Sequence, residues 1–109
     1  MIVYGLKTCD TCRKARRALA AAGQEPAFVD LRETPVTAEK IGFWLERLGP
    51  GLMNTRSTTW RGLSETERAG DPVALMTAHP ALIKRPVIED GAALHLGWGR
   101  DVQAALLPE

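Results

Sequence analysis

Cys9 and Cys12 are the two cysteines of this chain and the side chains best suited to covalent chemistry. They form a Cys-x-x-Cys set between a short β-prone run, Ile2-Val3-Tyr4 closed by Gly5, and an amphipathic segment that begins near Thr11. A Cys-x-x-Cys at a strand-to-helix junction is a thiol redox signature. A helix N-terminus presents unbonded backbone N–H groups and the positive end of the helix dipole, and both favour a thiolate over a thiol. Arg13 and Lys14 add positive charge beside it. The three-residue step places Cys12 one helical turn from Cys9. Cys9 is therefore expected to be the nucleophile and Cys12 the resolving thiol. Zinc is the first competing reading, but it needs about four ligands. Only His79 and His95 could join the cysteines, and each stands singly in a separate element, His79 at a helix end and His95 on a strand. Two inert core thiols are the second competing reading. The polar flanks Lys7-Thr8 and Asp10-Thr11 argue against it, because structural thiols favour apolar surroundings.

The elements that must position this pair can be read from the spacing of apolar residues. Ala15, Ala18, Leu19 and Ala22 fall on one helical face, with Gly23 as a stop signal. Arg13, Arg16 and Arg17 lie on the opposite side, a solvated face by default and a surface for an acidic partner otherwise. Ala27-Phe28-Val29-Asp30-Leu31 reads as a second strand, which gives a right-handed βαβ unit with parallel strands. Thr37 can cap a helix whose apolar residues are Ile41, Trp44, Leu45 and Leu48, ended by Gly49-Pro50-Gly51. Leu52 to Leu63 reads as loop or a short irregular turn. Ser64-x-x-Glu67 is a capping box, and Asp71-Pro72 opens a further helix, with Val73, Leu75 and Met76 as its apolar side and Pro80 as its end. Pro86-Val87-Ile88-Glu89 and Ala93-Leu94-His95-Leu96 flank Asp90-Gly91, a two-residue hairpin signal. After Gly97-Trp98-Gly99, residues Val102, Ala105 and Leu106 mark a last helix. The predicted order is β-α-β, a helical insert over about 37–80, then β-β-α. That order describes a single α/β domain over 1–109, with helices packed on a four-stranded mixed sheet.

A chain of 109 residues is one domain's worth. Its 45% hydrophobic and 25% charged residues are ordinary for a globular protein, and a net charge of +1 offers no argument for nucleic-acid or anionic-membrane binding. No apolar run approaches the roughly 20 residues that span a bilayer. The apolar N-terminus is too short for a signal peptide. The cytoplasm is the expected compartment, where two cysteines are more often working thiols than a staple. A monomer is the default expectation.

Several segments carry a family resemblance. Tyr4-Gly5 followed by Cys9-Asp10-Thr11-Cys12-Arg13-Lys14-Ala15-Arg16 resembles the opening of the arsenate reductase (ArsC)/Spx/YffB family. Asn54-Thr55-Arg56-Ser57-Thr58-Thr59-Trp60-Arg61 is similar to the YffB-like subgroup. Ala74-Leu75-Met76, Pro80-Ala81-Leu82-Ile83-Lys84-Arg85-Pro86 and the hairpin leading to Leu96-Gly97 extend the match over nearly the whole chain. The resemblance implies a thioredoxin-like fold with a helical insertion. It implies that Cys9 attacks the substrate, that Arg85 and Arg56 hold an oxyanion or thiol substrate, and that Pro86 is cis and faces the redox cysteine. Lys7 and Thr11, the polar residues beside the cysteines, are expected to line the same substrate site. No tightly bound cofactor or metal is expected. Glutathione is implied as co-substrate and glutaredoxin as a partner. Arsenate reductases carry a third arginine after the Leu-Gly of the last strand. Here that place holds Trp98, with Arg100 two residues on. An aromatic ring there suits a bulkier partner such as glutathione or a peptide thiol, and core packing is its other reading. The leading function is a thiol-dependent reductase. The alternative is a redox-sensing transcription regulator like Spx, binding the RNA polymerase alpha subunit.

Overall fold

The computed structural model describes residues 1–108; Glu109, the last residue of the expected domain, lies outside them. The chain divides into two compact units, Met1–Thr34 with the chain from Arg85 onward, and Pro35–Lys84. The inserted segment is thus slightly longer at both ends than the helical stretch expected over about 37–80.

The first unit holds one mixed sheet of four strands, β1 (Ile2–Gly5), β2 (Ala27–Asp30), β3 (Val87–Asp90) and β4 (Ala93–Leu96), in the order β2-β1-β3-β4. β1 pairs parallel with β2, while β3 runs antiparallel to both β1 and β4. Helix α1 (Asp10–Ala21) connects the parallel pair. A crossover of this kind is required, because parallel neighbours cannot be joined by a tight turn. α1 turns its buried face, Cys12, Ala15 and Leu19, inward. The final helix, α6 (Arg100–Leu106), buries Val102 and Leu106. Val3, Leu19, Ile88, Val102 and Leu106 form one apolar cluster, against which Met1, Phe28, Trp98 and Leu107 pack. Trp98 is partly buried and packs on this cluster, as its core-packing reading expects.

The second unit holds four helices, α2 (Ala38–Leu48), α3 (Thr58–Arg61), α4 (Glu65–Arg68) and α5 (Pro72–Ala78). α2 packs on α5 and buries Ile41 and Trp44. Two single 3₁₀ turns, Pro50–Leu52 and Pro80–Leu82, are tied together: the Lys84 N–H donates to the Leu52 carbonyl (2.7 Å) and the Asn54 N–H to the Leu82 carbonyl (2.7 Å).

Three local readings change. The expected loop between Leu52 and Leu63 contains α3, because the Ser57 hydroxyl accepts the Trp60 N–H and starts a helical turn that the polar, β-branched Thr58-Thr59 pair conceals. The hairpin turn is Gly91-Ala92 rather than Asp90-Gly91, since Asp90 pairs with Ala93. Gly91 takes φ +60° while Ala92 keeps a negative φ, which is the II′ arrangement with glycine first. Ala105 is exposed rather than on the inner face of the last helix.

Candidate functional site

The site begins where β1 runs out. Gly5 ends the strand, and Leu6, Lys7 and Thr8 lead to Cys9, the N-cap of α1. This short segment is clamped from several directions. The Cys9 N–H donates to the Leu6 carbonyl (3.1 Å), which folds the loop back on itself. The Lys7 N–H donates to Oδ2 of Asp30 (2.9 Å), and the Lys7 carbonyl accepts from Nε of Arg13 (3.1 Å). Asp30 uses its other oxygen on the N–H groups of Arg32 (2.8 Å) and Glu33 (3.2 Å). It is 8% exposed. The Lys7 amide, ahead of the Arg32 and Glu33 amides, keeps its carboxyl below the ordinary value against the opposing effect of burial. Asp30 thus joins the cysteine loop to the turn after β2, and the parallel register Gly5↔Asp30 puts it there.

Arg85 reaches the same place by topology. Val87 pairs with Tyr4 and β3 runs antiparallel to β1, so the residues just before Val87 lie past the C-terminal end of β1. Those residues are Arg85 and Pro86, joined by a cis peptide bond. Pro86 is buried, and its carbonyl accepts the Gly97 N–H (2.8 Å).

The two sulfurs have opposite environments. Cys9 is half-buried and Cys12 is 0% exposed, both as free thiols. Partial burial alone disfavours a Cys9 thiolate. The Cys12 backbone N–H, then the Cys12 thiol and the Arg85 guanidinium, favour the anion, and Arg85 adds its charge; together they outweigh burial, so the Cys9 pKa lies below its ordinary value. Burial pushes the Cys12 thiol up to about 12, against the Leu6 amide and the Arg85 charge, which favour its anion; the nearby Cys9 raises it further. Of the pair, Cys9 is therefore the thiol that ionises at the lower pH, while Cys12 keeps its proton. The cation acting on Cys9 is Arg85. Arg13, expected to help, is instead engaged with the Lys7 carbonyl and with Asp10 (3.7 Å).

Of the expected site residues, Cys9, Cys12 and Arg85 come together, with Pro86 adjoining Arg85 in the chain. Thr11 is exposed in the first turn of α1. Lys7 is exposed, and its ammonium is turned to Glu33 (2.7 Å). Arg56 stands in the other unit, exposed, beside a polar hollow of about 410 Å³ that Lys84, Asn54 and Thr55 also line. Among the described residues, no three His, Cys, Asp or Glu side chains gather as a metal site requires, and no helix is long and apolar enough to cross a membrane.

Two contributors escaped the sequence reading. Asp30 had a signal: an Asp after a β-run whose side chain can take the amides two and three residues on is a turn former. Gly5 had less, reading only as a strand terminator. In the fold a Cβ at Gly5 would run into the Cys12 sulfur and lie 3.2 Å from the Cys12 Cβ. Gly5 is thus the space in which Cys12 is buried.

Comparison with known proteins gives a consistent result. The ArsC family model matches residues 4–105. A solved structure of a YffB protein superposes with a TM-score of 0.90 at 34% identity, covering 98% of each chain. The solution structure of an arsenate reductase (ArsC) related protein from Brucella melitensis superposes with a TM-score of 0.74 at 34% identity, covering 94% of this chain and 91% of that one. The global transcriptional regulator Spx of Bacillus subtilis is 30% identical over 114 residues, 97% of this chain and 86% of Spx.

Proposed function

The chain belongs to the ArsC family, with its thioredoxin-like fold, and from that premise we propose that it is a thiol-dependent reductase acting on glutathione mixed disulfides. The observation that carries the reading is the Cys9 sulfur at the start of α1 with the Cys12 amide and thiol and the Arg85 guanidinium near enough to favour its anion. The Cys9 thiolate attacks the glutathione sulfur of the mixed disulfide. A new S–S bond joins Cys9 to glutathione, the old one breaks, and the substrate sulfur leaves as a thiolate that takes a proton from solvent. A second glutathione thiolate then attacks the bound glutathione sulfur, releasing oxidised glutathione and restoring the Cys9 thiolate. Cys12 offers an internal route, displacing glutathione as its thiolate to give a Cys9–Cys12 disulfide that two further glutathione thiols reduce, with release of oxidised glutathione, but only after Cys12 loses the proton that its burial retains. Arg85 stays beside the sulfur throughout and stabilises it whenever it carries negative charge. Arsenate is a poorer fit than a disulfide, since the place of the third arginine holds Trp98, packed on the apolar cluster.

The test is turnover of a glutathionylated peptide with glutathione as reductant, together with the pH profile of Cys9 alkylation. The reading requires saturable turnover that Cys9→Ser abolishes and an alkylation midpoint below the ordinary thiol value of 9.0. A midpoint at or above that value, with turnover retained in Cys9→Ser, rules it out.

The likeness to Spx supports a second reading, a regulator in which the Cys9–Cys12 disulfide is a switch. Capture of the RNA polymerase alpha subunit that changes on oxidation, without turnover, would put that reading first.

A further inference from the structure

Helix α1 carries Arg13 and Lys14 near its start, Arg16 and Arg17 in its middle, and no basic residue in its last turn. The helix's own electrostatics favour the reverse. Cations near an N-terminus oppose the dipole, and like charges three or four residues apart, as Arg13 is from Arg16 and Arg17, repel. Local compensation is slight. Arg13 is engaged with the Lys7 carbonyl and Asp10. Arg16 lies over the Phe28 ring, 4.0 Å from its centroid. Among the described residues neither Arg16 nor Arg17 has a carboxylate within salt-bridge distance. The three guanidiniums line an open groove of about 430 Å³ with Ala20, Glu25 and Pro26.

We propose that this groove is a docking surface for an acidic peptide segment, one that flanks the disulfide on which Cys9 acts. The identity of the docked protein rests on the reductase reading; the binding itself does not. A guanidinium stacked on a ring keeps its in-plane N–H fork for a carboxylate, and a planar fork suits that group better than an ammonium does. Ala20 and Pro26 provide small apolar walls against which a peptide backbone can lie. The groove is also tied to the chemistry. Arg13 follows Cys12 directly, and its bond to the Lys7 carbonyl fastens one end of the groove to the loop that presents Cys9. A peptide is favoured over a nucleic acid because the chain as a whole is only +1, without the extended basic surface that tracks a phosphate backbone; Glu25 opposes either anion and does not distinguish them.

The test is fluorescence anisotropy of a labelled, cysteine-free octapeptide of alternating Glu and Ser against the whole chain. The same peptide with Lys for Glu and a single-stranded oligonucleotide serve as controls. The acidic peptide should bind wild type, and binding should fall about tenfold or more in Arg16→Glu/Arg17→Glu and with salt raised to about 0.5 M. Arg16→Gln/Arg17→Gln, which keeps good helix formers, should lose most of the binding with an unchanged circular dichroism spectrum. Equal binding of the Lys peptide, unchanged binding in both double variants, or tighter binding of the oligonucleotide overturns the proposal. The two readings fail separately. If docking is wrong but the reductase reading holds, a small neutral disulfide still turns over and no charge preference is seen. If the reductase reading is wrong, no disulfide turns over while the acidic peptide still binds.

Discussion

The helices of the insertion and the helix that carries the cysteines begin differently. In the insertion every helix starts on an oxygen: Thr37, Ser57, Ser64 and Asp71 each accept a backbone N–H from the first turn. Ser64 and Glu67 complete a reciprocal capping box. Three of these helices have only 4, 4 and 7 residues, too short to persist without such help. Helix α1 has 12 residues and a buried face, and its N-cap is Cys9, whose thiol makes no capping hydrogen bond. The position that stabilises the other helices is occupied here by a reactive group. The amide that an oxygen would have satisfied, that of Cys12, is kept for a sulfur anion. At this helix start an oxygen cap is absent and the candidate nucleophile stands in its place.

Replacing Cys9 by Ser attacks this contrast most directly. Turnover should fall to background, because a serine hydroxyl stays protonated and is a poor nucleophile unaided. Yet the thermal midpoint should rise, since an oxygen cap is worth about 1 kcal/mol. Both are read from one variant by activity assay and thermal unfolding. A serine that lowers stability would show that the Cys9 position was never an unused cap. Arg85→Ala is the next largest change. A hydrogen bond to a charged group contributes roughly 1.5–3 kcal/mol, so alkylation of Cys9 at neutral pH should slow about tenfold or more, with its midpoint moved upward. Arg85→Lys should recover part of the rate, as charge returns without the planar fork.

The insertion and the cysteine site also differ in how far the sequence discloses them. The caps are local, so Thr37, Ser64-x-x-Glu67 and Asp71-Pro72 could be read residue by residue, and each stands where expected. Cys9 and Cys12 were legible for the same reason. The partners that give them their character come from far along the chain. Arg85 arrives through the antiparallel pairing of β3 on β1, Asp30 through the parallel register of β2, and Gly5 matters only once Cys12 packs against it. Resemblance pointed to Arg85, whereas periodicity and spacing could not. α3 was hidden because two β-branched threonines outweigh a serine cap in a short window. Arg16 and Arg17 were visible as a basic face, but stacking on Phe28 and the groove beside them required the fold.

Cys12 gives the contrast a pH dependence. Its pKa is about 12 in the folded chain against an ordinary 9.0. Below 9.0 it is a thiol both folded and unfolded and makes no difference. As pH rises from about 9 toward 12, the unfolded chain releases this proton and the folded chain keeps it, so stability falls with pH across that window. Urea unfolding at several alkaline pH values should show this slope, and Cys12→Ala should flatten it. The same variant should raise the Cys9 midpoint, because the anion loses a donor.

The smallest effect on chemistry should come from the caps themselves. Ser64→Ala removes the hydroxyl that accepts the Glu67 N–H, and Asp71→Ala the carboxylate that accepts the Ala74 N–H. Each should cost about 1 kcal/mol of stability. Neither residue contributes to the hydrogen bonds or charge that set the Cys9 thiolate, so the alkylation profile at 25 °C should superimpose on wild type. If a cap loss shifted that profile as strongly as Arg85→Ala does, the caps could no longer be described as serving stability alone, and the division drawn between oxygen-started and sulfur-started helices would fail.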